Sequence, residues 1–187
     1  MVCIRLVPHD VSYAEEISKL TSVSEVRNAL GMTNAQCSVP GTRDFIRLMQ
    51  LEEKLGHHIS RVILDEGNNI IGVISLKNMD EMQKSCHVGT WLGREYWGKG
   101  YNEIAKIEIL KIAFEKLHLN YVFAGALLEN IRSQKAQAKL PYMTLNVEQQ
   151  FHYEWKKLEW LEQTPCVLNM VRKEDFLNWY YQDIAVS

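Results

Sequence analysis

The chain has 187 residues, of which 47% are hydrophobic and 24% are charged, and its formal net charge is −2. This composition is typical of soluble proteins, and the length is sufficient for one globular domain over residues 1–187 without disulfide support. The small net charge argues against a protein that binds nucleic acid by broad phosphate neutralisation, and the apolar runs are too short to span a membrane.

The first half of the chain predicts one strand, two helices and a pair of further strands. The opening strand is "CIRLV", and a helix is expected over residues 12–30, with Ser12 as N-cap and Glu15 completing a capping box. The Gly, Pro and Asn content of "GMTNAQCSVPGT" indicates a loop, after which Thr42 can cap a helix that Gly56 stops. The runs "SRVILDE" and "IIGVISLKN", joined by a "GNN" turn, then indicate two strands.

The second half continues the alternation of strands and helices. The strand "CHVGTWL" leads through a glycine-containing loop into a helix over residues 102–117, whose apolar residues recur every three or four positions. The run "YVFAGALL" is almost continuously apolar, as in a strand that is covered on both faces. A short helix over residues 130–139, closed by Pro141, a last strand "CVLNMV" and a helix from Lys173 complete the prediction.

The four cysteines are scattered and include no CxxC pair; they are Cys3, Cys37, Cys86 and Cys166. We expect them to be reduced thiols of a cytoplasmic protein. The apolar run at the N-terminus is too short for a signal peptide, which favours the same location. His57 and His58 have no partner at ligand spacing, so no metal site is expected.

Two glycines, Gly98 and Gly100, stand directly before the predicted helix. The segment is not a P-loop, because no Gly-Lys-Ser/Thr follows, and it is not a dinucleotide fingerprint, because Glu103 replaces the third glycine. It is either a plain strand-to-helix turn or an anion site, in which backbone N–H groups face a phosphate that the glycines allow to come close. This candidate site, the glycine loop, consists of Trp97, Gly98, Lys99, Gly100, Tyr101 and Asn102, and Lys99 would add a surface charge.

Three blocks occur together in one order: "CHVGTWL", "REYWGKGYNEIA" and "NIRSQKAQAKLPY". In these blocks the chain resembles the GNAT superfamily of acyl-CoA-dependent N-acyltransferases. The likeness is greatest to the branch of the ribosomal-protein-alanine N-acetyltransferases, whose typical blocks are "AEIGYWI", "PEYWGKGYATEA" and "NxxSxxxxxKLGF". Weaker similarity extends from "IRLVPHD" to "VRKEDF". The resemblance implies a single GNAT acetyltransferase domain over residues 1–187.

The resemblance also implies an α/β fold with a central mixed, mostly antiparallel sheet that is split in a V shape, is flanked by helices and holds acetyl-CoA in the split. The strand that ends at Trp91 and Leu92 would pair with pantetheine through its backbone, like an added strand. The glycine loop would hold the pyrophosphate. Asn130 would face the pantetheine arm, although it can also be simply the N-cap of the helix that follows.

Three residues depart from the family pattern. Glu95 stands where many members have Gln or Arg, which indicates that backbone amides rather than a side chain bind the anion. Pro141 replaces a glycine, so the turn into the next strand is expected to differ. Gln137 stands where many members have a tyrosine, and glutamine cannot act as a general acid at neutral pH.

In the implied reaction a neutral primary amine attacks the thioester carbonyl and a thiolate leaves. His87 occupies the position of a catalytic glutamate in many members, and an imidazole can take a proton directly or through water. The alternative is a half-buried strand histidine. Ser133 matches a family serine that can hydrogen-bond the departing sulfur; the alternative is a helix serine that faces solvent. A lysine-type amine needs a base more than an α-amine does, because its pKa is higher.

The expected function is therefore direct transfer of an acetyl group from acetyl-CoA to a primary amine in a ternary complex. No cysteine lies in an activated setting, which argues against an acyl-enzyme. A catalytically silent acyl-CoA-binding or sensing domain and an interaction module that keeps only the fold are the alternatives. The acceptor is left open among a protein N-terminus, a polyamine, an amino acid and an antibiotic amine. We expect no nucleic-acid or membrane partner, and either a monomer or a homodimer.

Two aromatic segments near the C-terminus have two interpretations each. The run "FHYEWKKLEW" is predicted as a strand, and its Phe151, Tyr153 and Trp155 belong either to the core or to the acceptor groove. The run "NWYYQD" either forms a subunit contact or packs on the body of the domain.

Overall fold

The computed structural model describes residues 3–184, in which apolar runs form seven β-strands. The strands are Arg5–Val7 (β1), Ile59–Leu64 (β2), Ile70–Asp80 (β3), Ser85–Leu92 (β4), Tyr121–Leu127 (β5), Met143–Thr144 (β6) and Cys166–Arg172 (β7). They form one sheet in the order β1-β2-β3-β4-β5-β7-β6. Most pairings are antiparallel and β4–β5 is parallel, which confirms the predicted mixed sheet.

The helices lie between these strands and after the last of them. They are Ala14–Ser22 (α1), Ser24–Ala29 (α2), Asn34–Cys37 (α3), Val39–Lys54 (α4), Tyr101–Lys111 (α5), Ile131–Ala138 (α6), His152–Glu162 (α7) and Lys173–Ile184 (α8). A π-helical turn, Ile112–Lys116, continues α5. Among residues 3–184, no helix has the length and apolar character that a bilayer crossing requires.

One of two compact units comprises the described part of Met1–Met79 together with Gly89–Ile112. In it β2 pairs antiparallel with both β1 and β3, and α1 and α4 supply helical residues to the core. The core residues are Ala14, Ile17, Ile46, Val62, Leu64, Ile70 and Val73. The end of β4 lies against β3 so closely that a Cβ on Gly72 would come 2.2 Å from the backbone oxygen of Trp91.

The other unit comprises Asp80–Val88 and the described part of Ala113–Ser187. Its strand β5 pairs antiparallel with β7 along its whole length and parallel with the first three residues of β4. The core residues are Phe123, Val147, Leu158, Cys166, Leu168 and Met170. Helix α7 lies close to β5, since a Cβ on Gly125 would be 2.5 Å from Leu158 Cδ2. This close packing fixes the height of α7 above the sheet.

The helix predicted over residues 12–30 is wrong in its continuity and in its cap. Asp10, not Ser12, caps the first turn, because its carboxylate accepts the Ser12 N–H at 2.8 Å. The helix then breaks at Val23, whose backbone is extended with φ −63° and ψ 127°. This break creates the separate helix α2, which buries Val26.

The loop predicted from "GMTNAQCSVPGT" is also partly wrong. Thr33 and Gln36 form a capping box that starts the short helix α3. Helix α4 begins with Ser38 as its N-cap, not with Thr42, and Pro40 lies in its first turn, where a missing N–H costs nothing. Gly56 follows α4 in the left-handed conformation, with φ +76°.

The segment "FHYEWKKLEW" is a helix and not a strand, which corrects the prediction. Alternating aromatics imitate the two-residue period of a strand, but the buried residues of α7 are Glu154 and Leu158, four positions apart. Phe151 and Trp155 pack against the core of this unit, while Tyr153 is 73% exposed. The remaining predicted strands and the helices before and after β5 are present.

All four cysteines are free thiols. Cys3 is exposed, and Cys37, Cys86 and Cys166 are buried. Burial raises the pKa of the Cys86 thiol to about 12 and that of Cys166 to about 11. Cys37 donates through Sγ to the backbone oxygen of Thr21 at 3.3 Å.

Candidate functional site

Both glycines of the glycine loop have left-handed backbone conformations. Gly98 has φ +74° and Gly100 has φ +86°, values that residues with a side chain rarely adopt. A Cβ at either position would meet no atom within 4 Å. The turn itself therefore requires glycine, and the space beside each glycine is open to the outside.

The loop presents a row of free backbone donors. The N–H groups of residues 98–102 have no hydrogen-bond partner among residues 3–184, and no side chain caps the helix that starts at Tyr101. The next donor, the N–H of Glu103, is bonded to the Gly100 oxygen at 3.1 Å. Five consecutive N–H groups without a partner at a helix N-terminus, with the positive end of the helix dipole behind them, are the kind of donors that bind anions in proteins.

Side chains hold this loop in place. Trp97 Nε1 donates to the backbone oxygen of Leu92 at 2.8 Å, which fastens the loop to the end of β4. The guanidinium of Arg94 lies 4.9 Å from the centre of the Trp97 ring. Lys99 is exposed, with its Nζ 5.9 Å from the centre of the Tyr96 ring. Lys99 is thus a mobile charge at the rim of the loop, and the donors that line it belong to the backbone.

The end of β4, with Trp91 and Leu92, is tied to β3. The N–H of Gly93 donates to the Ile71 oxygen at 2.9 Å, and the Leu92 oxygen already accepts the Trp97 indole. A carbonyl oxygen can accept a second bond, so pairing of this segment with pantetheine stays a prediction. Nearby, the buried Thr90 Oγ1 has no hydrogen-bond partner in the part of the chain that is described.

Helix α5 carries two further polar groups without partners. The side-chain oxygen of Asn102, in its first turn, is buried and unbonded within residues 3–184. Lys106 is 8% exposed and makes no hydrogen bond or ion pair in the same part of the chain. Burial lowers the pKa of the Lys106 amine to about 8.

In the other unit, Asn130 and Ser133 open helix α6. Asn130 Oδ1 accepts the N–H of Ser133 at 3.1 Å, so the predicted N-cap role of Asn130 is present. Its predicted contact with pantetheine stays a prediction. Ser133 is half-buried and does not face solvent freely, because its Oγ accepts a bond from Gln137 Nε2 at 3.3 Å.

Gln137 lies at the centre of a set of buried hydrogen bonds. Its Nε2 also donates to the Gly125 oxygen at 3.2 Å, and its Oε1 accepts from Asn169 Nδ2 at 2.7 Å. Asn169 Oδ1 in turn accepts the backbone N–H of Asn146 at 2.9 Å. We refer to the bonded groups of Asn146, Asn169, Gln137 and Ser133 as the amide chain. It links α6 to β5 and β7, and within it the hydroxyl proton of Ser133 has no acceptor among residues 3–184.

His87 is a buried strand residue with a charged partner. It is 4% exposed, and its Nε2 lies 3.0 Å from Oε2 of Glu154, which is 5% exposed on α7. Its ring also packs on Phe123, with 5.3 Å between ring centres. Among residues 3–184, no hydrogen bond reaches the other ring nitrogen, Nδ1.

The environment keeps Glu154 ionised. The hydrogen bond from His87 lowers the pKa of the Glu154 carboxyl, against the opposite effect of burial, and Lys157 Nζ at 3.8 Å contributes in the same sense. A carboxylate at this position accepts Nε2–H and leaves the lone pair of Nδ1 as the basic site of the ring. The pair therefore has the arrangement of a base whose tautomer is set by an acid.

Glu154 and the amide chain were both absent from the sequence prediction. Glu154 is 67 residues from His87 along the chain, and it was assigned to a strand. A charged residue four positions before a buried Leu158 was the available signal, because both then share one helix face.

In "NWYYQD", Trp179 packs on Tyr142 with 4.7 Å between ring centres, so part of this segment contacts its own unit. The subunit contact stays a prediction.

The sequence matches a known protein family over most of its length. The model of the acetyltransferase (GNAT) domain matches residues 4–142. This range includes the glycine loop, His87, Asn130, Ser133 and Gln137, whereas Glu154 and Asn169 lie beyond it.

Two curated proteins share local sequence identity with the chain. One is YdaF of Bacillus subtilis (strain 168), which is named as a ribosomal N-acetyltransferase. It is 31% identical over 75 residues, which are 40% of this chain and 41% of that protein. The uncharacterized N-acetyltransferase p20 of Bacillus licheniformis is 26% identical over 133 residues, 71% of this chain and 66% of that protein. The chain thus spans less than two thirds of either relative.

The fold recurs in solved structures. The microcin C7 self-immunity acetyltransferase MccE, in complex with acetyl-CoA and AMP, superimposes with a TM-score of 0.72, 20% identity and coverage of 90% of each chain. At this identity the match shows a shared fold.

Proposed function

The chain belongs to the acetyltransferase (GNAT) family, and on this basis we propose that it transfers an acetyl group from acetyl-CoA to a primary amine by direct attack in a ternary complex. The observation that carries the proposal is the row of free N–H groups at residues 98–102, within the matched range. Acetyl-CoA carries a pyrophosphate that such donors suit, and it supplies a thioester carbonyl for the amine.

Each feature of the glycine loop has a role in this proposal. The free N–H groups donate to the pyrophosphate oxygens, and the left-handed glycines keep side chains away from them. Lys99 adds a screened charge at the rim. The pantetheine contacts of Trp91, Leu92 and Asn130 are those that the family resemblance implies. The fit rests on this chain's own donors, because five amides are available without breaking any bond in the protein.

The His87–Glu154 pair would receive the proton that the amine loses. Glu154 holds Nε2–H, so Nδ1 takes the proton directly or through a water molecule, and the carboxylate stabilises the resulting imidazolium. Ser133 would donate a hydrogen bond to the departing sulfur. The proposal assigns no covalent role to the buried Cys37, Cys86 and Cys166 or to the exposed Cys3.

A second candidate function is a catalytically silent acyl-CoA-binding or sensing domain. Two observations favour it. Gln137 replaces a residue that could act as an acid and is fully engaged in the amide chain, and His87 is 4% exposed. Such a domain would bind the thioester and release no thiol.

The acceptor is proposed at the level of its chemical class, a primary amine on a protein N-terminus or a small molecule. The relative from Bacillus subtilis is named as a ribosomal N-acetyltransferase. An α-amine acceptor has a lower pKa than a lysine-type amine, so it depends less on a base that is buried.

Two measurements test the proposal. Acetyl-CoA at about one hundred times its dissociation constant should add roughly 2.7 kcal/mol to the free energy of unfolding, whereas NAD and ATP should add much less. A panel of α-amines, polyamines, amino acids and aminoglycosides is then screened for release of free thiol. Binding with thiol release supports the enzyme, and binding without release for every amine supports the silent domain. A thermal shift with NAD and none with acetyl-CoA would refute both.

A further inference from the structure

The side-chain amide of Gln137 makes all the hydrogen bonds that its geometry offers in this site. Gln137 is 3% exposed, and each of its two Nε2 hydrogens has an acceptor, the Gly125 oxygen at 3.2 Å and Ser133 Oγ at 3.3 Å. Its Oε1 accepts from Asn169 Nδ2 at 2.7 Å. A reversal of this amide would lose the bonds to the Gly125 oxygen and to Asn169 Nδ2.

The direction of every bond in the amide chain follows from two backbone groups. The N–H of Asn146 can only donate, so the atom of Asn169 that faces it must be Oδ1, and Nδ2 must face Gln137. The Gly125 carbonyl can only accept, so the atom of Gln137 that faces it must be Nε2. The same Nε2 faces Ser133, whose hydroxyl oxygen therefore accepts.

The Ser133 hydroxyl proton is left without an acceptor. Serines in helices commonly turn this proton back to a backbone oxygen of the preceding turn. In residues 3–184, Ser133 Oγ accepts from Gln137 and makes no bond as a donor. The chain of bonds thus ends in a hydroxyl that is ready to donate to a group outside this part of the protein.

We propose that Gln137 is a positioning residue that orients Ser133 as a hydrogen-bond donor to the sulfur of the departing thiol. This inference rests on the proposed acetyl transfer. By donating to one lone pair of Oγ, Gln137 excludes the hydroxyl proton from that direction and restricts it to the remaining ones. Gln137 therefore does not act as a general acid. It orients the hydroxyl proton of Ser133 instead.

The bonds and charges balance in this step. The nitrogen–carbon bond forms while the carbon–sulfur bond breaks, and the electron pair of the broken bond leaves with sulfur. Ser133 keeps its proton and donates a hydrogen bond to the developing thiolate, which is stronger than a bond to a neutral sulfur. The extra proton of the amine leaves to His87 or to water.

The test is a double-mutant cycle in the full-length protein, with the most active amine of the panel as acceptor. Ser133→Ala should lower kcat roughly 10- to 100-fold, the range for one hydrogen bond to a charged group. Gln137→Met, which removes the donor and keeps the length of the side chain, should lower kcat by about threefold to tenfold with little change in KM for acetyl-CoA. In the Ser133→Ala background the same substitution should change kcat by less than about 1.5-fold.

Gln134→Met is the matched control. Gln134 is another glutamine of α6, and it donates to the Leu127 and Leu128 oxygens but not to Ser133. Its loss should lower thermal stability without a comparable loss of kcat. If Gln137→Met does not fold, Asn169→Asp replaces it, because an aspartate accepts from Asn146 and cannot donate to Gln137, so the glutamine amide must reverse.

The outcomes separate the inference from the function on which it rests. A loss of kcat in Gln137→Met that is equally large with and without Ser133 would reduce Gln137 to a structural residue and overturn the inference. An unchanged kcat in Ser133→Ala would overturn it as well. If the wild-type protein binds acetyl-CoA and releases no thiol with any amine, the proposed enzymatic function fails, and the inference fails with it.

Discussion

Polar groups have different surroundings at two sites, one in each unit. Around the glycine loop and helix α5, five backbone N–H groups, the Asn102 side-chain oxygen and the Lys106 amine have no partner among residues 3–184. Around Gln137 and His87, by contrast, the amide chain and the Glu154 carboxylate are matched donor to acceptor. In the described part of the chain, the first region thus has several polar groups without a partner, whereas the second pairs most of its groups and leaves His87 Nδ1 and the Ser133 hydroxyl proton unpaired.

The two sites suit different functions, because unpaired polar groups can bind a ligand and paired ones can orient other side chains. Polar groups without a protein partner at an exposed loop can bind an anion without first breaking a bond in the protein. Their free-energy penalty is low as long as water solvates them. Matched groups in the interior bind nothing themselves, but they hold one or two side chains in a defined orientation. Substitutions should therefore act on ligand affinity in the first region and on turnover or stability in the second, with Lys106 as an exception.

The largest effect is expected at His87. His87→Gln keeps a donor for Glu154 and removes the ring, so kcat should fall on the order of 10²-fold or more with a high-pKa amine and less with an α-amine. Acetyl-CoA affinity should hardly change. His9→Gln is the control, since His9 is also buried and bonds Ser60 Oγ at 2.8 Å in the other unit. A loss below about threefold for every acceptor would leave His87 as a structural residue.

Lys106 tests whether a buried amine without a hydrogen-bond or ion-pair partner lowers the stability of the protein. Its pKa is lowered from 10.5 to about 8, so between these values the unfolded chain binds more protons and stability should rise with pH, by about 3 kcal/mol in total. Lys106→Met should remove this rise and increase the free energy of unfolding near neutral pH. Urea unfolding between pH 7 and about pH 10 measures both effects.

Lys111→Met in the same helix should leave the pH dependence of stability intact. A Lys106→Met protein that is less stable than the wild type at neutral pH would show that the amine has a favourable partner. The difference between the unpaired groups around α5 and the paired groups around Gln137 would then be smaller than proposed.

The glycine loop should respond through affinity. Gly100→Val adds a branched side chain at φ +86° and should weaken CoA binding roughly 30- to 100-fold, while a truncated pantetheine thioester without phosphates should lose much less. Gly56→Val is matched in backbone strain, with φ +76° and no atom within 4 Å of an added Cβ, but it lies at the end of α4. Calorimetric titration of both ligands should show no selective loss in this control. Equal losses for both ligands in Gly100→Val would assign the loop to folding alone.

The smallest expected effect is the loss of the stability contributed by Glu154 at low pH. Its folded-state pKa is lowered from 4.5, so the carboxylate contributes stability above about pH 4.5 that is lost as the pH falls through its folded pKa. Glu154→Gln should cost about 1 kcal/mol at neutral pH, and the difference from the wild type should shrink in acid. Glu162→Gln, at an exposed carboxyl of the same helix, is the control substitution. A pH-independent difference for Glu154→Gln would mean that its charge is unimportant.

The sequence predicted those features whose partners are close along the chain. Gly98 and Gly100 reveal the turn, and Asn130 followed by Ser133 reveals the N-cap of α6, because only local geometry is involved. The family resemblance and the mixed sheet are confirmed. The capping box of Thr33 and Gln36 is equally local, but the loop-forming residues around it favour a loop in the sequence.

Features that depend on distant partners could not be predicted in this way. Glu154 meets His87 only because α7 lies against β5 at Gly125, and Asn169 meets Gln137 across 32 residues. Alternating aromatics concealed α7, since tertiary packing and not local propensity selected the helix. The roles of His87 and Ser133 therefore stay predictions that the experiments above decide.

The placement of the cysteines has a practical consequence for measuring this protein. With Cys86 and Cys166 held at pKa values of about 12 and 11 and Cys37 buried, only Cys3 offers an exposed sulfur to a disulfide reagent. The colour that such a reagent develops as CoA is released would carry a background of one equivalent per native chain. Unfolding would expose all four thiols, so the same dye, without any substrate, would report the fraction of folded molecules. Cys3 would in addition accept a fluorophore without a competing site.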